Sequence, residues 1–158
     1  MSFGLTVLTF SHVVISLAGI AAGFVVVVGL LTARRLEVWT AIFLSTTVLT
    51  SVSGFFFPIH RFTPGHALGI LSLVALAIAI IARYRRQLAG SWRIVYIVSA
   101  VISLYFNVFV LVAQLFQKVP ALAALAPTQS EPPFLVAQTA LLALFVALGI
   151  GCVVRFRG

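Results

Sequence analysis

The sequence contains no aspartate and only two acidic residues, Glu37 and Glu131, in a chain of 158 residues. The lack of aspartate excludes a Ser-His-Asp site and leaves no pair of neighbouring carboxylates for acid–base catalysis. The chain also has no glycine-rich phosphate loop and no lysine within an apolar run. These absences favour a protein without catalytic activity.

Charged residues of both signs are scarce. They make up 8% of the chain, against roughly 25% in soluble proteins, while 63% of the residues are hydrophobic. The ten Lys and Arg residues lie in short clusters between long apolar runs, a pattern typical of a membrane protein rather than of a nucleic-acid-binding protein. A single cysteine, Cys152, excludes an intrachain disulfide.

Five segments approach the roughly 20 apolar residues that a helix needs to cross a bilayer. Prolines separate several of them: Pro58 follows the second segment, Pro64 begins the third, and Pro132-Pro133 precede the fifth. The sequence therefore predicts an all-α integral membrane protein, a five-transmembrane-helix bundle that forms one membrane domain over residues 1–158. The predicted spans are Phe10–Ala33, Val38–Phe57, Pro64–Ala82, Arg93–Phe116 and Phe134–Val154, with a further short helix from Pro120 in the fourth loop.

The basic residues predict the orientation of the bundle. One side carries eight of them: Arg34, Arg35, Arg83, Arg85, Arg86, Arg93, Arg155 and Arg157. The other side carries Arg61 and Lys118. Because Lys and Arg are retained on the cytoplasmic side, we expect the N-terminus outside and the C-terminus in the cytoplasm.

The three histidines are predicted to lie at one depth. His12 is near the outer end of the first span, because the residues between it and Arg34 cover roughly 33 Å of helix. His60 falls in the loop after the second span, and His66 in the first turn of the third. This placement predicts a transition-metal site formed by His12, His60 and His66, or a haem between two of them. The alternative is that they anchor the interface, since no two have the spacing of a helical ligand motif.

Polar side chains within the spans extend this prediction. Ser99, Ser103, Asn107 and Gln114 fall on one stripe of the fourth span, and Gln138 lies near the start of the fifth. Because an amide has more hydrogen-bonding sites to satisfy than a hydroxyl, Asn107 and Gln114 are candidates for the deeper lining of the histidine pocket, and Gln138 is a candidate for its lining at the depth of the histidines. The alternative is that all of these residues only join helices through hydrogen bonds.

Three functions remain open on the sequence alone. The first is a small multi-pass protein of a bacterial inner (plasma) membrane whose outward-facing histidine pocket binds haem, a transition metal or a small ligand. The second is a non-catalytic assembly or accessory subunit of a larger membrane complex, with a membrane-protein partner. The third is a small transporter active as a homo-oligomer, because five spans do not divide into equal inverted repeats. The lipid bilayer is a partner in all three, and nucleic acid in none.

Overall fold

Every regular element in the described part of the chain is helical. A computed structural model of the protein describes residues 3–56, 64–128 and 130–156. Its helices are α1 (Phe3–Leu31), α2 (Glu37–Ser53), α3 (Pro64–Ile80), α4 (Trp92–Lys118), α5 (Pro120–Leu125) and α6 (Pro132–Arg155). A 3₁₀ turn, Gly54–Phe56, follows α2, and a π-helical turn, Ile81–Arg85, continues α3.

Five helical segments in the described residues are long and apolar enough to cross a membrane: α1, α2 with its 3₁₀ turn, α3 with its π-helical turn, α4 and α6. This confirms the predicted multi-pass helical architecture, and the short α5 lies where a loop helix was predicted. The bounds differ from the prediction mainly in α1, which begins at Phe3 rather than Phe10. Hydropathy marks the membrane-crossing part of a helix, and α1 continues beyond that part.

Helix α4 is the centre of the bundle. It packs against α1, α2, α3 and α6, while α1 also contacts α2 and α6, and α2 contacts α3. Ile97 and Leu104 of α4 are fully buried. They belong to one apolar core that includes Phe43 of α2, Leu76 of α3 and Phe145 of α6. The stripe of α4 that carries Ser99 and Ser103 therefore faces the interior.

Two glycines allow α1 to approach its neighbours closely. An added Cβ at Gly23 would lie 2.6 Å from Leu104 Cδ1 and 3.0 Å from the Phe43 ring. At Gly19 it would lie 3.0 Å from Thr46 Oγ1. The Gly19–Gly23 spacing is one that lets helix backbones come together. Here it is used for packing within one chain.

The two ends of the bundle differ in chemistry. One end, which we call the arginine end, contains Leu31, Glu37, Arg83, Arg93 and the C-terminus of α6; Arg83 contacts Glu37, and Arg93 donates to the Val153 carbonyl oxygen at 3.1 Å. The opposite end, the histidine end, contains His12, Ser53, His66 and the start of α6. His12 contacts Ser53 there, and Phe116 packs edge-on against Phe134 with ring centroids 5.3 Å apart.

At each end of the bundle, a hydrogen-bonded turn connects one helix to the next. At the arginine end Ala33 adopts φ 58°, and the Arg34 N–H donates to the Gly29 carbonyl at 2.7 Å, a left-handed closure of α1 that glycine usually provides. At the histidine end Thr128 donates its hydroxyl to Glu131 Oε1 at 2.6 Å. This hydrogen bond is the main cause of the lowered pKa of Glu131. The carboxylate closes the turn immediately before Pro132, which begins α6.

Candidate functional site

His12 joins α1 to the end of α2. Its Nδ1 lies 2.7 Å from Ser53 Oγ, and the ring is half-buried. The ring also packs beside Gly54, where an added Cβ would be 3.7 Å from His12 Cε1. Ser53 Oγ in turn contacts the Thr50 carbonyl oxygen at 3.1 Å. The imidazole is thus held in a chain of hydrogen bonds at the C-terminus of α2.

His66 lies against the next part of the same helix end. It is the third residue of α3, as predicted, and its ring centroid is 5.8 Å from that of Phe55. Phe55 also fills the space beside Gly69, one turn further along α3, where an added Cβ would be 3.1 Å from the ring. His12 and His66 therefore contact Ser53 and Phe55, which are two residues apart on the chain.

A three-ligand metal centre is not assembled in the described part of the chain. Residues 3–56, 64–128 and 130–156 contain no group of three His, Cys, Asp or Glu side chains close enough to hold an ion. His60, the third predicted ligand, lies outside the described residues. What remains is a pair of imidazoles on either side of the α2 terminus, each in contact with a residue of that segment.

Of the three predicted amide residues, Gln138 joins α6 to α4, and Asn107 and Gln114 lie on α4. Gln138 is buried, and its Nε2 donates to the Phe109 carbonyl oxygen of α4 at 3.3 Å. Asn107 and Gln114 are half-buried on α4. Within the described residues, two buried polar atoms of this set have no hydrogen-bond partner: Asn107 Nδ2 and Gln138 Oε1.

The hydroxyl groups inside the bundle are mostly bonded within their own helices. Ser99 donates to the Val95 carbonyl at 2.7 Å and Ser103 to the Ser99 carbonyl at 2.9 Å. Thr50 does the same toward the Thr46 carbonyl at 2.8 Å. Between helices, Ser51 of α2 donates to Ser72 of α3 at 3.3 Å. These residues therefore satisfy their polar groups locally and add little to any pocket.

A further buried polar group, the Arg83 guanidinium, lies just beyond the predicted third span, which ends at Ala82. Arg83 is buried, with 4% of its side chain exposed, and its Nη2 lies 2.9 Å from Glu37 Oε2. Its guanidinium also lies 5.2 Å from the centroid of the fully buried Tyr96 ring. A buried arginine at the edge of a membrane domain needs such partners, because desolvation of an unpaired charge is costly.

The local backbone explains why Arg83 is inside the protein. The π-helical turn Ile81–Arg85 adds one residue to the turn, so that Ala82 and Arg83 face the core while Tyr84 and Arg85 face outward. Turns of this kind are frequent at functional sites. The only sequence signal was Glu37, the single acidic residue among the arginines of that end.

Comparison with known proteins assigns this chain to no family and gives it no function. No protein-family model, curated protein or solved structure matches the chain.

Proposed function

We propose that this protein is a non-catalytic accessory or assembly subunit of a larger membrane complex, with its arginine end in the cytoplasm of a bacterial cell. One observation carries the proposal: three of the candidate polar residues contact neighbouring segments of the bundle. His12 bonds to Ser53, His66 packs on Phe55, and Gln138 bonds to the backbone of α4. Side chains used in this way stabilise a scaffold.

The plasma membrane and the orientation are parts of the same proposal. Eight basic residues on one side of the membrane and two on the other favour cytoplasmic retention of the arginine end. The N-terminus and the Glu131 turn would then lie outside.

The binding of haem or a transition metal is the competing function, and a substitution at His12 separates the two. Asparagine places an amide atom near the position of His12 Nδ1, so His12→Asn keeps a partner for Ser53 and removes the ring nitrogen Nε2. Alanine removes both. For a scaffold we expect the free energy of unfolding of His12→Asn to exceed that of His12→Ala by about 1 kcal/mol, because only alanine removes the contact with Ser53.

The measurement combines thermal unfolding in detergent with an absorption spectrum and metal analysis of the purified protein. The outcome that counts against the scaffold is a haem absorption band, or about one metal ion per chain, in the wild type that both His12 variants and His66→Ala lose while still folded. That result would show that the histidines form a cofactor site and would overturn the scaffold proposal. Blue-native electrophoresis of the tagged protein from its own cells then tests the partner. The proposal requires an assembly that contains another protein, and migration as a monomer or homo-oligomer only would overturn it.

A further inference from the structure

Two apolar grooves run side by side along the exposed face of α4. One lies between α4 and α6, with a volume of about 380 Å³. The other lies between α3 and α4, with a volume of about 470 Å³. Val98 and Ile102 line both grooves and form the ridge between them. Both volumes fall in the range of roughly 300–1,000 Å³ that is typical of ligand sites.

The grooves match one leaflet of a bilayer in length and chemistry. From Ile94 to Phe106 the α3–α4 groove follows α4 for twelve residues, or about 18 Å of helix. Half of a hydrocarbon core of about 30 Å is about 15 Å. Ser99 lines the α3–α4 groove, and its hydroxyl group donates to a carbonyl oxygen of its own helix. An acyl chain therefore meets no unsatisfied polar group of that serine.

Both grooves extend as far as the arginine end, where positive charge is in excess. Arg93 precedes Ile94, the lining residue of α4 nearest that end, and Arg155 follows Val154, the corresponding residue of α6. Arg86, just beyond α3, lies with its guanidinium 5.2 Å from the centroid of the Trp92 ring. Arg93 spans the gap to α6 by donating to the carbonyl oxygens of Val153 and Phe156.

The sequence provides no acid to balance these arginines. Its two glutamates are Glu37, which pairs with the buried Arg83, and Glu131, which closes the turn at the opposite end. Arg86 and Arg155 are exposed. Basic residues between transmembrane helices on the cytoplasmic side favour anionic lipid headgroups.

We propose that this face binds one anionic phospholipid of the leaflet at the arginine end. Its two acyl chains occupy the grooves on either side of the Val98–Ile102 ridge, and its phosphate lies among Arg86, Arg93 and Arg155. The apolar grooves select a two-chain lipid, and the uncompensated arginines select a negative headgroup.

The experiment compares phosphatidylglycerol with phosphatidylcholine of identical acyl chains, added to the purified full chain in neutral detergent. Native mass spectrometry counts bound lipid, and thermal unfolding measures the stabilisation. We expect about one phosphatidylglycerol per chain, with phosphatidylcholine retained at least about tenfold more weakly.

Two sets of variants locate the site. Arg86→Gln/Arg155→Gln should weaken phosphatidylglycerol binding by at least about tenfold. Arg34→Gln/Arg35→Gln removes the same charge from the same end, between α1 and α2, which line neither groove, and should leave binding near the wild-type value. Ile102→Trp fills the ridge between the grooves and should reduce the retention of phosphatidylglycerol. Ile102 is 39% exposed, so this substitution leaves the core intact.

Three results would overturn the proposal: equal retention of the two lipids, equal loss in the two arginine pairs, or unchanged binding in Ile102→Trp. A disulfide formed between two copies of an Ile102→Cys variant in native membranes would assign the face to a second copy of the chain and would also overturn it.

Discussion

At Gly23, α1 lies close to side chains of two other helices. Because an added Cβ would lie 2.6 Å from Leu104 Cδ1 and 3.0 Å from the Phe43 ring, one of these side chains would have to move. Both are buried, at 0% and 1% exposure, so neither has free space to enter. We expect Gly23→Ala to lower the free energy of unfolding by about 1–3 kcal/mol.

Gly4→Ala is the matched control, measured by thermal or denaturant unfolding in the same detergent. Gly4 also lies in α1, but an added Cβ there meets no described atom within 4 Å. Alanine should therefore be neutral or slightly stabilising, through its higher helix propensity. If Gly23→Ala is as well tolerated as Gly4→Ala, the close approach of α1 to α2 and α4 is wrong.

The two residues of the Arg83–Glu37 ion pair differ in burial, so substitution of one should cost more stability than substitution of the other. Arg83 has 4% of its side chain exposed and Glu37 has 62%. Glu37→Gln leaves a buried guanidinium without a counter-charge. Arg83→Met leaves a carboxylate that water can solvate, and it places a flexible apolar side chain beside Tyr96.

We therefore expect Glu37→Gln to cost more stability than Arg83→Met. The loss for Glu37→Gln should be about 1 kcal/mol, because the exposed half of the pair is screened by solvent. The double variant should be more stable than Glu37→Gln alone, since it removes the unpaired buried charge. Unfolding of the three variants measures this order. The reverse order would mean that the arginine is valuable in itself, through the Tyr96 ring or an unassigned ligand.

The candidate side chains could be predicted only in part. Counting residues from Arg34 placed His12 at one end of the bundle, because the rise of a helix fixes depth, and the position of His66 in the first turn of the third span placed it at the same end. It could not predict Ser53 or Phe55 as their neighbours, since rotation about each helix axis depends on tertiary packing. Arg83 was missed for a related reason: the π-helical turn changes which residues face inward, and the sequence contains no clear signal for it.

The helices themselves were easier to predict. Apolar runs of about 20 residues leave few alternatives in a bilayer, and Pro64, Pro120 and Pro132 each begin a helix as their missing N–H allows. The conformation at the end of α1 was harder to predict from the sequence. Ala33 adopts φ 58°, a conformation that costs a residue with a Cβ roughly 1 kcal/mol.

Because of this strain, we expect an alanine-to-glycine substitution to stabilise the protein at position 33 and to destabilise it inside α1. Ala33→Gly should stabilise the protein by about 0.5–1 kcal/mol, because glycine adopts the left-handed conformation freely. Ala21→Gly, at an exposed position inside α1, should destabilise it by a similar amount. Thermal unfolding of the pair is the measurement. A loss of stability in both variants would exclude the left-handed closure after α1.

The whole molecule is polarised from end to end. Seven described arginines and one glutamate lie at the arginine end, whereas the two described histidines and Lys118 lie toward the other. The interior between them is a single apolar core centred on α4. Such a molecule has one favoured orientation in a membrane that retains basic residues in the cytoplasm, and this orientation can be measured directly.

Single cysteines at Gln87 and Gln129 test that orientation. Gln87 is exposed in the turn between α3 and α4 at the arginine end, and Gln129 stands in the sequence between Thr128 and Ser130, whose hydroxyl groups contact each other at the opposite end. The native Cys152 is buried and should react slowly. With the N-terminus outside, an impermeant thiol reagent should label Gln129→Cys in intact cells, and should label Gln87→Cys only after the cells are permeabilised. The reverse pattern would place the arginine end outside and would contradict the cytoplasmic assignment of that end.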